Sequence, residues 1–147
     1  MAPVKYIGKV IDRFRRASEE RPEKLDHLSL GRHGEEIACR HLAENGYRII
    51  DRNYRTRLGE IDIIAEEQGT LVFVEVKTRS SDRFCDPVEA VGRAKCRQIS
   101  RVALEYLEKE GRQNQPARFD VVGVTMKPDS RPLIETIKNA FDLAYGN

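Results

Sequence analysis

The sequence of 147 residues has no Trp, and its aromatic share is only 7%. It holds three cysteines, Cys39, Cys85 and Cys96. Their number is odd, and no two stand at the short spacing of a zinc knuckle or a redox pair. Reduced thiols in a cytoplasmic protein are therefore expected. His27, His33 and His41 do not form a metal-ligand cluster. No apolar stretch approaches the ~18 residues of a membrane-spanning helix, which excludes that class. The N-terminus lacks the apolar core of a secretory signal, because Lys5 and Lys9 interrupt residues 4–11. Charge of one sign is also missing overall: 26 basic and 24 acidic residues leave +2. That balance neither demands nor forbids a nucleic-acid partner.

What is present is unevenly spread. Hydrophobic residues, 39% of the chain, gather into several apolar runs, which argues against whole-chain disorder. The length fits one domain. Residues 1–24 carry seven basic and four acidic side chains, so the front of the chain is basic. Val4, Ile7, Val10, Ile11 and Phe14 recur there at helical spacing. We read residues 1–28 as a basic appendage and linker, and residues 29–147 as the domain.

Inside the domain, helical periodicity runs from about Ser29 to Asn45, with Gly46 as its stop. Gly34, Ile37, Ala38, His41 and Leu42 form one face. Glu36 points away from that face, whereas Glu35 lies on its edge. Three strand-like runs follow, over 47–53, 59–66 and 70–78, the last two joined by Glu67-Gln68-Gly69 as a hairpin. The second run alternates Glu60, Asp62 and Ile64 against Ile61, Ile63 and Ala65. In the third, Leu71, Phe73, Glu75 and Lys77 oppose Val72, Val74 and Val76. Residues 79–87 read as a loop. A second helix spans roughly 88–110, interrupted near Gly92, with a stripe of Ile99, Val102, Ala103, Tyr106 and Leu107. A strand over 118–126 and a short strand over 133–138 complete the order α-β-β-β-α-β-(β), a mixed α/β class.

The hairpin carries the chemistry. An even loop, either Gln68-Gly69 or residues 67–70, sets Ile64 opposite Phe73, Asp62 opposite Glu75, and Glu60 opposite Lys77. Directly opposed residues bring their Cβ atoms to ~4.5–5.5 Å. Two carboxylates at that separation repel unless something positive lies between them. Mg²⁺ takes oxygen ligands, commonly one or two carboxylates plus a substrate phosphate. Asp62 and Glu75 would supply the carboxylates, and Glu35 would reach in from the first helix. Lys77 would assist the attacking water or the transition state. The ordinary rival is a solvated strand face with a Glu60–Lys77 ion pair.

These residues resemble a known family. Gly34-Glu35, Asn53, Gly59-Glu60-Ile61-Asp62 and Phe73-Val74-Glu75-Val76-Lys77-Thr78-Arg79 are similar to the YraN-type family of restriction-endonuclease-like proteins, related to archaeal Holliday-junction resolvases. The resemblance continues through Pro87, Glu89-Ala90-Val91, Lys95 and Arg118-Phe119-Asp120-Val121-Val122, and covers about residues 30–142. It implies the PD-(D/E)XK nuclease fold, a central mixed sheet with flanking helices. It also implies Asp62, Glu75 and Lys77 as motif residues and Glu35 as the helix carboxylate. Ile61 stands where the motif carries Pro. The implied activity is Mg²⁺- or Mn²⁺-dependent cleavage of DNA, including branched DNA. A resolvase-like reaction favours a homodimer, because two strands are cut symmetrically. The rival function is a non-catalytic nucleic-acid-binding module on the same fold.

Basic side chains surround this hairpin. Residues 77–101 hold seven basic and three acidic side chains. Arg55, Arg57, Arg79, Arg93, Lys95 and Arg97 are the candidate phosphate contacts. Arg93, Arg97 and Arg101 recur every four residues, which describes a phosphate-binding ridge or a solvated helix face. Lys95 falls within the apolar sector of its helix, so it either snorkels or reaches a cleft. Tyr54 and Phe84 are candidates for stacking on bases, with ordinary packing as the rival.

Overall fold

A strand apolar on both faces needs a covering layer on each. The computed structural model supplies two helices for that purpose and describes residues 27–80 and 87–144. The basic appendage, and Arg83, Phe84 and Cys85 of the loop, lie outside the described residues. The elements are α1 (His27–Glu44), β1 (Arg48–Thr56), β2 (Gly59–Glu67), β3 (Thr70–Arg79), α2 (Arg93–Lys109), β4 (Ala117–Thr125) and β5 (Leu133–Phe141). The five strands form one sheet in chain order. Only β3 and β4 run parallel, and α2 makes the crossover that a parallel pair requires. This is the restriction-endonuclease-like α/β topology.

The two faces of β3 fall where its alternation puts them. Val72, Val74 and Val76 pack under α1 with Ile37, Ala38 and Leu42. Leu71 and Phe73 pack under α2 with Ile99, Val102, Ala103 and Tyr106. The hairpin register is also as expected, with Ile64 opposite Phe73 and Glu67 opposite Thr70. Gln68 and Gly69 both take positive φ, 49° and 78°, as a two-residue turn matched to strand twist requires.

Three expectations are corrected. α2 starts at Arg93 with Gly92 as its N-cap, so residues 88–91 are not helical. β5 runs on to Phe141, past the expected end at 138. Alternation in β2 breaks: Ile61 joins Ile64 on the α2 side, while Ile63 and Ala65 face α1. The cause lies at the end of the hairpin. Its backbone pairing runs only from Glu67–Thr70 to Ile63–Val74. Beyond that point the Val76 N–H donates to the Asp62 carboxylate at 2.8 Å. A side chain thus takes over from the ladder, and the strand turns as it passes Asp62.

Candidate functional site

The site forms where β2 and β3 part. Asp62 and Glu75 are buried, at 8% and 4% exposure, although both are carboxylates. Isolated buried carboxylates are costly, so groups of opposite charge or a proton must accompany them. Glu75 has two lysines near one oxygen. Lys77 Nζ stands 3.7 Å from Oε1, and Lys95 Nζ, from the first turn of α2, stands 3.9 Å from the same atom. The other oxygen, Oε2, is buried without a hydrogen-bond partner among the described residues. Burial first, and then the Asp62 charge, push the Glu75 carboxyl up to about 8, against the pull of Lys95 and Lys77.

Glu35 closes the site from the α1 side. Gly34 makes that approach possible: a Cβ there would run into the Thr78 side chain on β3. With only a hydrogen at residue 34, the start of α1 lies directly on the end of β3. Glu35 then stands at the edge of the buried face and Glu36 in solvent, as the helical count requires. Burial and the Asp62 charge raise the Glu35 carboxyl to about 7, opposed by Arg52. Asp62 is within hydrogen-bonding reach of both Glu35 and Glu75, so it is the central carboxylate of the three.

The structure therefore brings together Glu35, Asp62, Glu75, Lys77 and Lys95. It separates the expected Glu60–Lys77 pair: Glu60 takes Arg55, its partner across β1, at 3.1 Å. Arg57 and Arg93 are exposed, while Arg79 and Arg97 are half-buried. Tyr54 is a packing residue, edge-on to Tyr106 at 5.3 Å. Arg52, one of the basic residues of 48–57 that flank the hairpin in the sequence, is the cation that acts on Glu35. Its action on Glu35 follows from its place on β1, antiparallel to β2. Among the described residues, no group of three or more His, Cys, Asp or Glu side chains stands arranged as a metal cage.

A second charged cluster lies at the other end of the sheet. Asp120 is fully buried and accepts from Tyr47 Oη at 2.9 Å, Arg118 Nε at 2.9 Å and the Asn139 N–H at 3.0 Å. Arg118 and Lys138 both meet Glu67 at 2.8 Å. Pairing between β4 and β5 shifts register beside Asp120, so this network fastens an irregular stretch of sheet.

The fold is that of the restriction-endonuclease-like α/β class. The sequence profile described as "Uncharacterised protein family UPF0102" matches residues 34–124. The chain belongs to this family, which bears out the resemblance drawn from its motifs. It is 51% identical over 120 residues to a UPF0102 protein of Syntrophus aciditrophicus, covering 82% of this chain and 94% of that one. It is also 51% identical over 112 residues to one of Symbiobacterium thermophilum, covering 76% and 95%. Among solved structures it is similar to Pyrococcus furiosus SfsA in complex with Ca²⁺, at TM-score 0.39 and 16% identity, over 74% of this chain and 62% of that one. A complex of EndoMS with dsDNA gives 0.38 and 18%, over 75% and 43%.

Proposed function

We propose that the protein binds nucleic acid across the basic surface around Glu75, and that the carboxylate cluster cleaves DNA phosphodiesters with the help of Mg²⁺ or Mn²⁺. The observation that carries this reading is the buried Glu75 Oε2, which no donor among the described residues serves, crowded against Asp62. An oxygen-only donor set on three elements, crowded to the point of mutual repulsion, fits a hard divalent cation. Asp62, Glu75 and Glu35 would hold it. When bound, such an ion supplies positive charge to the phosphoryl oxygens and a nucleophile at neutral pH. The Lys77 side chain stands beside Glu75, where it would meet charge developing on the phosphate. Lys95 and the arginines of α2 orient the strand.

A second reading, a binding module that does not cleave, is favoured by the lack of a preformed metal cage among the described residues. One panel separates the two. The full chain is offered duplex, flapped, four-way and single-stranded DNA, with Mg²⁺, Mn²⁺ or chelator. Cleavage that disappears in Asp62→Asn and Lys77→Ala supports the enzyme. Salt-sensitive binding with no cleavage of any substrate selects the module. Absence of binding even at low salt sinks both.

A further inference from the structure

Beside the carboxylate cluster, between the β1–β2 turn and the start of α2, lies an open cleft of about 340 Å³. Arg55, Thr56, Gly59, Glu60, Lys95 and Gln98 line it. Its volume is at the small end of the ~300–1,000 Å³ of ligand sites, the scale of a single small planar group rather than a folded partner. The lining residues carry polar side chains except Gly59, and the cleft connects to the site through Lys95, which also stands 3.9 Å from Glu75. α2 has no acidic residue in its first turn, so the positive end of its dipole adds to the Lys95 charge.

Gly59 leaves the room that Gln98 occupies there. Gly59 has φ of +145°, and a Cβ on it would fall 2.5 Å from Gln98 Cγ and 2.7 Å from Nε2. The glutamine side chain thus lies flat over bare backbone, half-buried. Its carboxamide makes no hydrogen bond to another described residue. Glu60 sits in the same lining, its charge offset by Arg55 at 3.1 Å. An amide and a carboxylate in one lining offer oxygen acceptors and an NH₂ donor. The exposed edge of every unpaired base carries both an acceptor and an N–H donor, so this set complements a base and offers nothing comparable to an abasic sugar.

We propose that this cleft receives one unpaired base of the bound strand, with Gln98 and Glu60 on its edge and Lys95 on the adjoining phosphate beside Glu75. This rests on the nucleic-acid-binding reading above and assigns its base contact.

The test uses the full chain and four labelled 12-nucleotide strands, dA, dC, dT and an abasic backbone, without metal and at fixed low salt. The expected order is dA, dC and dT above the abasic strand. Gln98→Ala should weaken dA, dC and dT about 5- to 30-fold, in line with one lost base contact. It should leave the abasic strand unchanged, and thermal unfolding should show the variant folded. Equal binding of dA, dC and dT by wild type and Gln98→Ala overturns the base contact while the binding reading stands. A uniform loss on all four strands also overturns it, since a phosphate contact would act that way. Failure of wild type to bind any strand overturns the binding reading itself, and the base contact with it.

Discussion

Asp62 accepts the Val76 N–H at 2.8 Å, beyond the last backbone pair of the β2–β3 ladder. One carboxylate therefore has two tasks: it completes the sheet and forms the centre of the acidic cluster. The tasks separate by substitution. Asp62→Asn keeps an acceptor for Val76 and removes a charge, so stability should hold within about 1 kcal/mol. Asp62→Ala leaves the N–H buried and unserved, and should cost about 1–3 kcal/mol. Denaturant unfolding of the two variants reads the difference. Equal losses would mean that the hydrogen bond contributes nothing.

The pH dependence follows from the two raised carboxyls. Glu75, at about 8, and Glu35, at about 7, start from 4.5. The folded state therefore holds these protons more tightly than the unfolded chain does. Their contribution to stability is complete below about 4.5 and is lost as pH rises through 7 to 8. In chelator, the unfolding midpoint should fall between pH 5 and pH 9 at roughly 2–4 °C per kcal/mol lost. Glu75→Gln should flatten that fall. Added Mg²⁺ should raise the midpoint at the alkaline end and leave the acid end alone, because protons and the cation compete for the same oxygens. A midpoint that climbs from pH 5 to 9 in chelator would contradict the assignment.

Gly34 tests the seating of α1. Gly34→Ala should destabilise by about 1–3 kcal/mol through overpacking against Thr78, despite the better helix propensity of Ala. Thr78→Ala on the same background should restore part of the loss, a coupling that a double-mutant cycle detects. Strictly additive effects would mean that the two residues do not meet.

Asp120 should matter for stability and not for the site. Asp120→Ala leaves Arg118 and the Tyr47 hydroxyl without their buried partner, at a cost of about 3–5 kcal/mol. Nucleic-acid affinity, measured where the variant is still folded, should match wild type. A selective loss of binding in a fully stable variant would move Asp120 into the functional surface.

Much of this was legible from period alone. The unequal roles of Glu35 and Glu36, the two faces of β3 and the turn at Gln68-Gly69 each follow from local geometry. The break at Ile61 was not, because it depends on a side chain capturing a backbone group across the hairpin. The action of Arg52 on Glu35 and the place of Gln98 were hidden for a related reason. Each residue reaches the site from an element remote in sequence, and neither has a spacing that announces it. The Asp120 network likewise needs Tyr47, Glu67 and Lys138 delivered by three other segments.

The hairpin also sets an order of events. Asp62 and Glu75 belong to neighbouring strands joined by a two-residue turn, a contact that closes early and cheaply. Glu35 and Lys95 arrive only when both helices dock on a sheet whose one parallel pair closes across the α2 crossover. The crowding of carboxylates thus reaches full strength late, after most of the apolar surface is buried. Neutralising Glu75 should accordingly slow unfolding more than it speeds folding. The acidic site then acts on the lifetime of the native state, and a cation that settles there would lengthen that lifetime.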